Sequence, residues 1–529
     1  MTALTLMFLG IAFAFFAYKR LLTYLHIFQQ EEYDGTRFIH WLKRARAFDR
    51  KASLSLLVLA FPATFMPVSA PLFNMVAAFV LAAIGWIEAD PRLTGKKKLA
   101  MTARAMRVTV TAGILLFIVM IAFVSFEVTL VAWILLMQSI PFMMVLANIL
   151  LSPWESAVQK SFWNEAHNKL SELKPLTVGI TGSFGKTSVK HILAHVLSAY
   201  APTLATPGSI NTPMGIARVV RETLTPNHRY FIVEMGAYGE GSIKRLCDLA
   251  PPDVAVITTI GHAHYERYKT LDAVARAKFE LPEAAHAKGG YSVLGSEVMD
   301  FEHARNFVND HRNSVTLAGS RPDDDAQILE AGQNENGVFA RVTWREREYR
   351  LQAPLFGLNH AVNMTLAFVV ACRLGMEPEQ AMMALASTPQ IRHRLEVIHQ
   401  GSGAIVIDDA YNSNPSGFAA ALEVLSLLGT KRRRILISPG MVELGALHDE
   451  EHAKIGHLAA RHADVFLAVA PARIPTMVEA FRLMAPHKPL IPCATFAQAQ
   501  SWLAENMRHD DIVLLENDLP DLYERSLRL

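Results

Sequence analysis

Cysteine is nearly absent from this chain of 529 residues: Cys247, Cys372 and Cys493 are its three examples, far apart in sequence. They form no metal-ligand spacing and no disulfide framework, which suits a reducing compartment. Net charge is scant as well, +2 at neutral pH, so no global field draws the chain to nucleic acid. Internal repeats and low-complexity tracts are missing too. At this length two or three globular units are expected.

What is plentiful is hydrophobic length, and it is local. Mean hydropathy is positive, and nearly all of the excess lies before residue 152. Residues 3–17 are apolar and are followed by Tyr18-Lys19-Arg20. Residues 54–87 are apolar apart from breaks at Pro62, Pro67 and Pro71, long enough for two closely spaced helices; 108–123 and 128–151 are two more. A hydrocarbon core needs roughly 20 apolar residues per helix. Residues 1–152 therefore read as a membrane domain of about five transmembrane helices, some of them short. A cleaved signal peptide accounts for the first run only, and no small-residue cleavage site follows it.

Charge sets the orientation. The loop at 18–52 carries Lys19, Arg20, Arg37, Lys43, Arg44, Arg46, Arg50 and Lys51, and the loop at 89–107 carries Arg92, Lys96, Lys97, Lys98, Arg104 and Arg107. The short connections at 67–70 and 126–127 carry no Lys or Arg. Positive loops stay in the cytoplasm, so both basic loops and everything after the last span are expected there, with the N-terminus outside. Anionic lipid head groups account for these charges without a nucleic-acid partner.

Pro153 is expected to end the last span, and residues 153–173 read as an amphipathic helical connector. Beyond it, short β-rich runs at 176–181, 230–234 and 254–260 alternate with helical patterns at 187–200 and 271–287. Such alternation predicts a parallel, doubly wound sheet. A second α/β run starts near Arg392, with strands at 404–408, 434–438, 465–469 and 512–515. The polar stretch 319–337 reads as a loop. The fold expected is an α-helical membrane domain followed by α/β: a P-loop parallel-sheet ATPase domain over 174–390, and a C-terminal Rossmann-like α/β domain over 391–529.

The segment Thr177-Val-Gly-Ile-Thr-Gly-Ser-Phe-Gly-Lys-Thr-Ser188 is a strand, a glycine turn and a helix start. Gly182 and Gly185 let backbone amides turn toward a phosphate, and the helix N-terminus adds its positive end. Thr181, Ser183, Phe184 and Ser188 complete this nucleotide-binding stretch. Lys186 supplies a charge for the β- and γ-phosphates, and the Thr187 hydroxyl a ligand for Mg²⁺. The longer P-loop spacing requires glycine at Ile180, so the match is to the shorter G-x-x-G-K-T form. Farther on, Glu234 ends a strand in Val-Glu-Met-Gly, His264 follows another in Ile257-Thr-Thr-Ile-Gly-His-Ala-His264, and Lys278 lies in Ala-Lys-Phe-Glu. Taken singly, Glu234 reads equally as a helix cap, His264 as a loop histidine and Lys278 as a solvated helix residue.

Their order changes the weighing. G-S-F-G-K-T, then E-M-G, T-I-G-H-A-H and A-K-F-E resemble the Mur ligase family, and within it the MurF branch. The likeness continues through Gly357-Leu-Asn-His-Ala-Val-Asn363, Arg392-His-Arg-Leu-Glu396, Asp408-Asp-Ala-Tyr-Asn-Ser-Asn-Pro415 and Met441-Val-Glu-Leu-Gly445, covering roughly residues 174–520. It implies an ADP-forming ligase that activates a carboxylate as an acyl phosphate and couples it to an amine. By the resemblance Lys186, Lys278 and His264 are catalytic, with Lys278 carbamylated. Two Mg²⁺ sites are implied, one on Thr187 and one on Glu234 and His264. ATP is held from His360, Arg394, Asp409 and Tyr411 as well as the phosphate loop. The substrates implied are a carboxylate and an amine, envelope peptides or lipid-linked; a polyglutamate-type polymer synthetase is a variant, and a membrane transport ATPase the alternative of another class.

The chain departs from the branch in three places. Membrane spans stand where soluble members carry a domain gripping a uridine-linked substrate. Asn359-His360 reverses the usual His-Asn. Leu515-Glu516-Asn517-Asp518-Leu519-Pro520 replaces a Lys-Gly-Ser stretch at the expected amine side, exchanging one positive charge for two negative ones. A milder change puts Pro439-Gly440 before Met441, where Gly-Asp is usual. Oligomeric state is left open.

Overall fold

The structure, a computed structural model, describes residues 2–66, 69–94, 98–237, 239–261, 270–411, 413–442 and 444–517. Pro67, Lys96, Lys97, His264, Asn412, Glu443 and residues 518–520, all invoked above, lie outside that set. Residues up to 159 form one compact unit and those from 160 onward another.

The first unit is helical: α1 Thr2–Gln30, α2 Gly35–Arg44, α3 Arg50–Phe65, α4 Ala70–Ile87, α5 Ala103–Ser125 and the start of α6 Leu130–Leu173. Leu6, Leu9, Phe13 and Phe16 repeat at helical spacing and are buried, which turns one stripe of α1 against α4 and α5. Trp133 closes that core edge-on to Phe13 and Phe123, at 5.6 and 5.9 Å between ring centres. Outward, Ile11, Phe61, Phe79, Ile118 and Leu135 are exposed, an apolar surface of the kind lipid covers. α1, α4, α5 and α6 are long and apolar enough to cross a membrane. The five spans expected from sequence are thus four by that measure, because α3 has 16 residues.

Two further expectations are corrected. Pro153 does not break the helix: α6 runs unbroken through Pro141 and Pro153 to Leu173, the expected connector being its continuation. A proline removes one i→i−4 bond, and the turns on either side carry the helix past it. Arg20 is not in a loop. α1 continues to Gln30 and buries Arg20 at 3% exposure, because its charge is matched there. Arg20 Nη1 lies 2.6 Å from each Glu88 oxygen, Nη2 donates to Asp49 Oδ1 at 2.8 Å, and Nε lies 2.7 Å from Asp49 Oδ2. Thr23 Oγ1 adds a bond to Glu88 at 2.6 Å. One guanidinium thus ties α1 to the head of α3 and the tail of α4.

The second unit holds two sheets. The larger contains β1 Leu176–Thr181, β2 Thr203–Ala205, β3 Tyr230–Glu234, β4 Val254–Ile257, β5 Tyr291–Gly295, β6 Val315–Gly319, β7 Ala326–Asn334, β8 Gly337–Trp344 and β9 Arg347–Ala353. Their order is β2-β3-β1-β4-β5-β6-β7-β8-β9, parallel as far as β7 and antiparallel across β8 and β9. Alternate residues of the central strands feed opposite cores: Tyr230 and Ile232 pack with α7 (Lys186–Ser198), Phe231 and Val233 with the helix Leu271–Ala287. About half of the stretch expected as a loop, 319–337, is β7. Only Ala326 and Ile328 of that strand are buried, so it lacks the apolar alternation that signals a strand.

The smaller sheet, β10 Glu396–His399, β11 Ile405–Asp409, β12 Arg434–Ser438, β13 Val465–Val469, β14 Leu490–Cys493 and β15 Ile512–Glu516, is ordered β10-β11-β15-β12-β13-β14 and is parallel except at β10. In the larger sheet the chain leaves β1 toward β2 and β3 on one side, then crosses to β4 on the other. The strand ends at Thr181, Glu234 and Ile257 therefore border a switch point, where open α/β sheets hold ligands.

Removing the Arg20 guanidinium leaves the buried Asp49 carboxylate without its counter-charge and the half-buried Glu88 with Thr23 alone. Arg20→Ala is expected to destabilise the first unit by about 3–5 kcal/mol, whereas Arg37→Ala, at an exposed ion pair, stays within about 1 kcal/mol. Denaturant titration in detergent micelles measures both; equal losses would contradict the clamp.

Candidate active site

β1 delivers Thr181 to the sheet edge, and the chain then turns through Gly182 at φ 152° and Gly185 at φ 81° into α7. Both glycines are obligatory. A Cβ on Gly182 would stand 1.9 Å from Thr258 Oγ1, and one on Gly185 2.8 Å from Asn363 Oδ1. The loop is laced to the end of β4. Ser183 N donates to Thr259 O at 2.8 Å, Phe184 N to Thr259 Oγ1 at 3.3 Å, Gly261 N to Ser183 Oγ at 2.8 Å, and Thr258 Oγ1 to Phe184 O. Thr181 Oγ1 donates to Met235 O at 2.9 Å. No side chain caps α7, so its first amides point into the cradle.

Lys186 Nζ folds back onto this loop, 2.6 Å from Gly182 O and 3.1 Å from Ser183 O. Burial pulls its pKa down to about 8, with Glu234 opposing and Arg394 assisting. Thr187 Oγ1 donates to Glu234 Oε2 at 2.9 Å. Two hard oxygen donors side by side suit Mg²⁺; the sequence reading had placed them on two separate ions, Thr187 on one and Glu234 with His264 on the other. Ser188 is buried in the same helical turn. Lys278, on the helix Leu271–Ala287, is 5% exposed. Burial, with Lys186 next in weight, holds its pKa well below the ordinary lysine value.

The remaining expected contacts come from two other segments. His360 is buried and its Nδ1 has no partner; burial and the Arg394 charge bring its pKa down to about 4. A neutral imidazole with an orphaned nitrogen fits a hydrogen bond to a nucleotide base. Arg394 stacks over Tyr411, 4.4 Å from the ring centre. Asp409 accepts from Leu395 N at 3.2 Å, and burial raises its pKa to about 6 against the pull of Arg394. Beside it, at the paired register position of β15, Glu516 is raised well above the ordinary range by burial and by Asp409. Ser413 Oγ donates to Glu516 at 2.5 Å, and the side chain has no exposure. Glu516 is therefore closed off from solvent, where sequence had placed it facing an incoming amine. His264 lies outside the described residues.

Sequence reasoning missed Lys190, Asn211 and Thr206. Lys190 Nζ is 2.9 Å from Glu234 Oε2 and donates to Gly208 O; burial lowers its pKa and Glu234 resists the change. Asn211 Nδ2 reaches Glu234 Oε1 at 3.3 Å, and Glu234 N donates to Thr206 Oγ1 at 3.2 Å. Lys190 was findable: it follows Lys186 by four residues, one turn along the same helix face. A cavity of about 720 Å³ lies elsewhere; Gly290 and Ser314 in its wall precede β5 and β6, at the opposite edge of the sheet from the phosphate loop.

Comparison with known proteins agrees with this geometry. Residues 180–371 match the Mur ligase middle domain and residues 393–516 the Mur ligase, glutamate ligase domain. The protein is a Mur ligase. Within that family it is MurF-like: the UDP-N-acetylmuramoyl-tripeptide–D-alanyl-D-alanine ligase of Mycobacterium tuberculosis is 32% identical over 297 residues, 54% of this chain and 56% of that one. The Bacillus subtilis enzyme of the same name is 29% identical over 287 residues, 54% and 61% of the two chains. The alignments thus span little more than half the length of these relatives. MurF of Thermotoga maritima in complex with ADP shares the fold at TM-score 0.58 and 22% identity, covering 70% of this chain and 82% of that one. Acinetobacter baumannii MurF does so at 0.60 and 23%, over 70% and 79%.

A buried lysine has a thermodynamic signature. The unfolded chain holds the Lys278 proton up to about pH 10.5 while the folded one gives it up at lower pH, so stability rises with pH between the two values and is reduced near neutrality. Lys278→Met is expected to stabilise the protein by about 1–3 kcal/mol at pH 7 and to flatten that rise. Urea denaturation in CO2-free buffer measures it; a destabilised variant would contradict the assignment.

Proposed function

We propose that this protein is an ATP-dependent, ADP-forming ligase that joins a carboxylate to an amine through an acyl phosphate, at the cytoplasmic face of a bacterial-type inner membrane. The observation that carries the reading is the meeting of Lys186, the Thr187–Glu234 pair and buried Lys278 around the ends of β1 and β3. A site for transferring a phosphoryl group needs cations and oriented amides where charge develops, and these residues offer both.

In this reading the amides of residues 182–185 and the head of α7 hold the nucleotide phosphates. Lys186 leaves its loop carbonyls and turns to the β- and γ-phosphates. Thr187 and Glu234 would hold Mg²⁺, and Glu234 and His264 a second ion; these cations would offset charge on the transferred group. The substrate carboxylate attacks the γ-phosphorus and ADP leaves; the amine then attacks the acyl carbon and phosphate leaves. Lys278, its pKa lowered by burial, can in its unprotonated form attack CO2 and pass the released proton to water, which would make a carbamate anion able to orient the metal's ligands. His360, Arg394, Asp409 and Tyr411 hold the nucleoside, so closure of the C-terminal domain completes the site.

Membrane attachment rests on the first unit. The basic segments after α1 and after α4 share one side only if α3 crosses as well as α4, giving five crossings and an external N-terminus. α6 then delivers residues 160 onward to the cytoplasm. The Arg20–Asp49–Glu88 cluster is matched internally, which favours a structural clamp over a transport path. Because apolar helices stand where soluble relatives grip a uridine-linked substrate, we infer an envelope-peptide carboxylate presented on a lipid or polymer carrier; a polyglutamate-type synthetase is the polymeric form of the same chemistry.

Purified protein screened against carboxylate and amine pairs is expected to release ADP only when both are present; release without either would sink the ligase. Lys186→Ala should abolish turnover, by at least about 10³-fold, while membrane insertion persists. Lys278→Ala should be partly rescued by acetate, and the absence of any rescue would remove the carbamate.

A further inference from the structure

Lys190 is the best-buried cation of the site, with its side chain 5% exposed. Its Nζ approaches Glu234 Oε2 at 2.9 Å, the same oxygen that accepts from Thr187 Oγ1 at 2.9 Å. That oxygen is also where a divalent ion held jointly by Thr187 and Glu234 has to bind. Lys190 makes no other ion pair among the described residues, and its second bond goes to the carbonyl of Gly208. Gly208 belongs to the segment whose Asn211 and Thr206 bond the other side of Glu234.

We propose that Lys190 is the resident counter-ion of Glu234, a positioning residue that competes with the divalent metal for Oε2 and keeps affinity for the bare metal low. The inference rests on the ligase reading above, in which Thr187 and Glu234 hold Mg²⁺. An ammonium on Oε2 satisfies the buried carboxylate when no metal is present, so the fold is complete without one. A bare divalent ion must displace that ammonium from Oε2. A metal arriving with nucleotide brings phosphate oxygens as extra ligands and meets Lys186 as well, so the site takes its metal as the nucleotide complex. The Gly208 carbonyl remains as an acceptor for Lys190 when Oε2 turns to the metal, so the lysine has a second position ready.

The test is Mn²⁺ binding to the nucleotide-free, full-length protein in detergent, read from the electron paramagnetic resonance signal of free Mn²⁺. Lys190→Met and Lys190→Gln are each expected to bind Mn²⁺ about tenfold more tightly than wild type, the order expected for loss of one nearby charge at a partly screened site. Lys190→Arg, which keeps the charge, should stay near the wild-type affinity. A merely structural lysine would instead lower Mn²⁺ affinity in the Met and Gln variants together, and that result, or no change in either, overturns the proposal. ADP release by wild type is read in parallel: tightened Mn²⁺ binding without any ADP release supports the counter-ion and sinks the ligase, while the reverse pattern sinks the counter-ion alone.

Discussion

Glu234 carries a carboxylate to the end of β3 at 2% exposure, and an unmatched charge there would cost on the order of several kcal/mol. Its partners Thr187 and Lys190 both belong to α7, so satisfying the charge also sets the register of that helix against the strand. With α7 fixed, its N-terminus faces the turn after β1, and Gly182 and Gly185 bring the loop backbone against Thr258 and Asn363. The phosphate loop, the metal donors and the route into the C-terminal domain through Arg394 all follow from where this one carboxylate is neutralised.

A second burial constraint runs alongside it. Burial lowers the pKa of both Lys278 and His360, with the cations Lys186 and Arg394 adding to the effect. The lysine reduces the stability of the folded chain at neutral pH and the histidine only below about pH 6.5, and groups perturbed in this way mark a site more often than a core. Asp409 and Glu516 repeat the theme in acid form: paired on neighbouring parallel strands, they are both raised by burial. At Glu516, then, the exchange does not present an exposed negative charge. It places a buried carboxyl beneath Asp409.

Much of this was legible in the sequence, and the reasons differ by element. The strands 434–438 and 465–469 and the helix 271–287 match their expected limits, because continuous apolar runs bounded by polar turns leave little choice. The phosphate loop was legible because its glycines sit where no side chain fits. β7 was not, since it has only two buried side chains and no alternation to read. Pro153 misled because one missing hydrogen bond does not outweigh the turns flanking it in α6. Arg20 misled because its two carboxylates lie 29 and 68 residues away. Lys190 escaped notice for a related reason: a buried lysine is recognised by its partner, and Glu234 is 44 residues distant.

The central claim is that the carboxylate substrate is activated by taking a phosphoryl group. The most direct test supplies a carboxylate labelled with ¹⁸O on both oxygens, together with ATP and the amine, and analyses the released phosphate by mass spectrometry. The account predicts one ¹⁸O in the phosphate for each ADP formed, because the bridging oxygen of the acyl phosphate leaves with phosphorus when the amine attacks carbon. Phosphate released without label, at the same yield of ADP and amide, would contradict it.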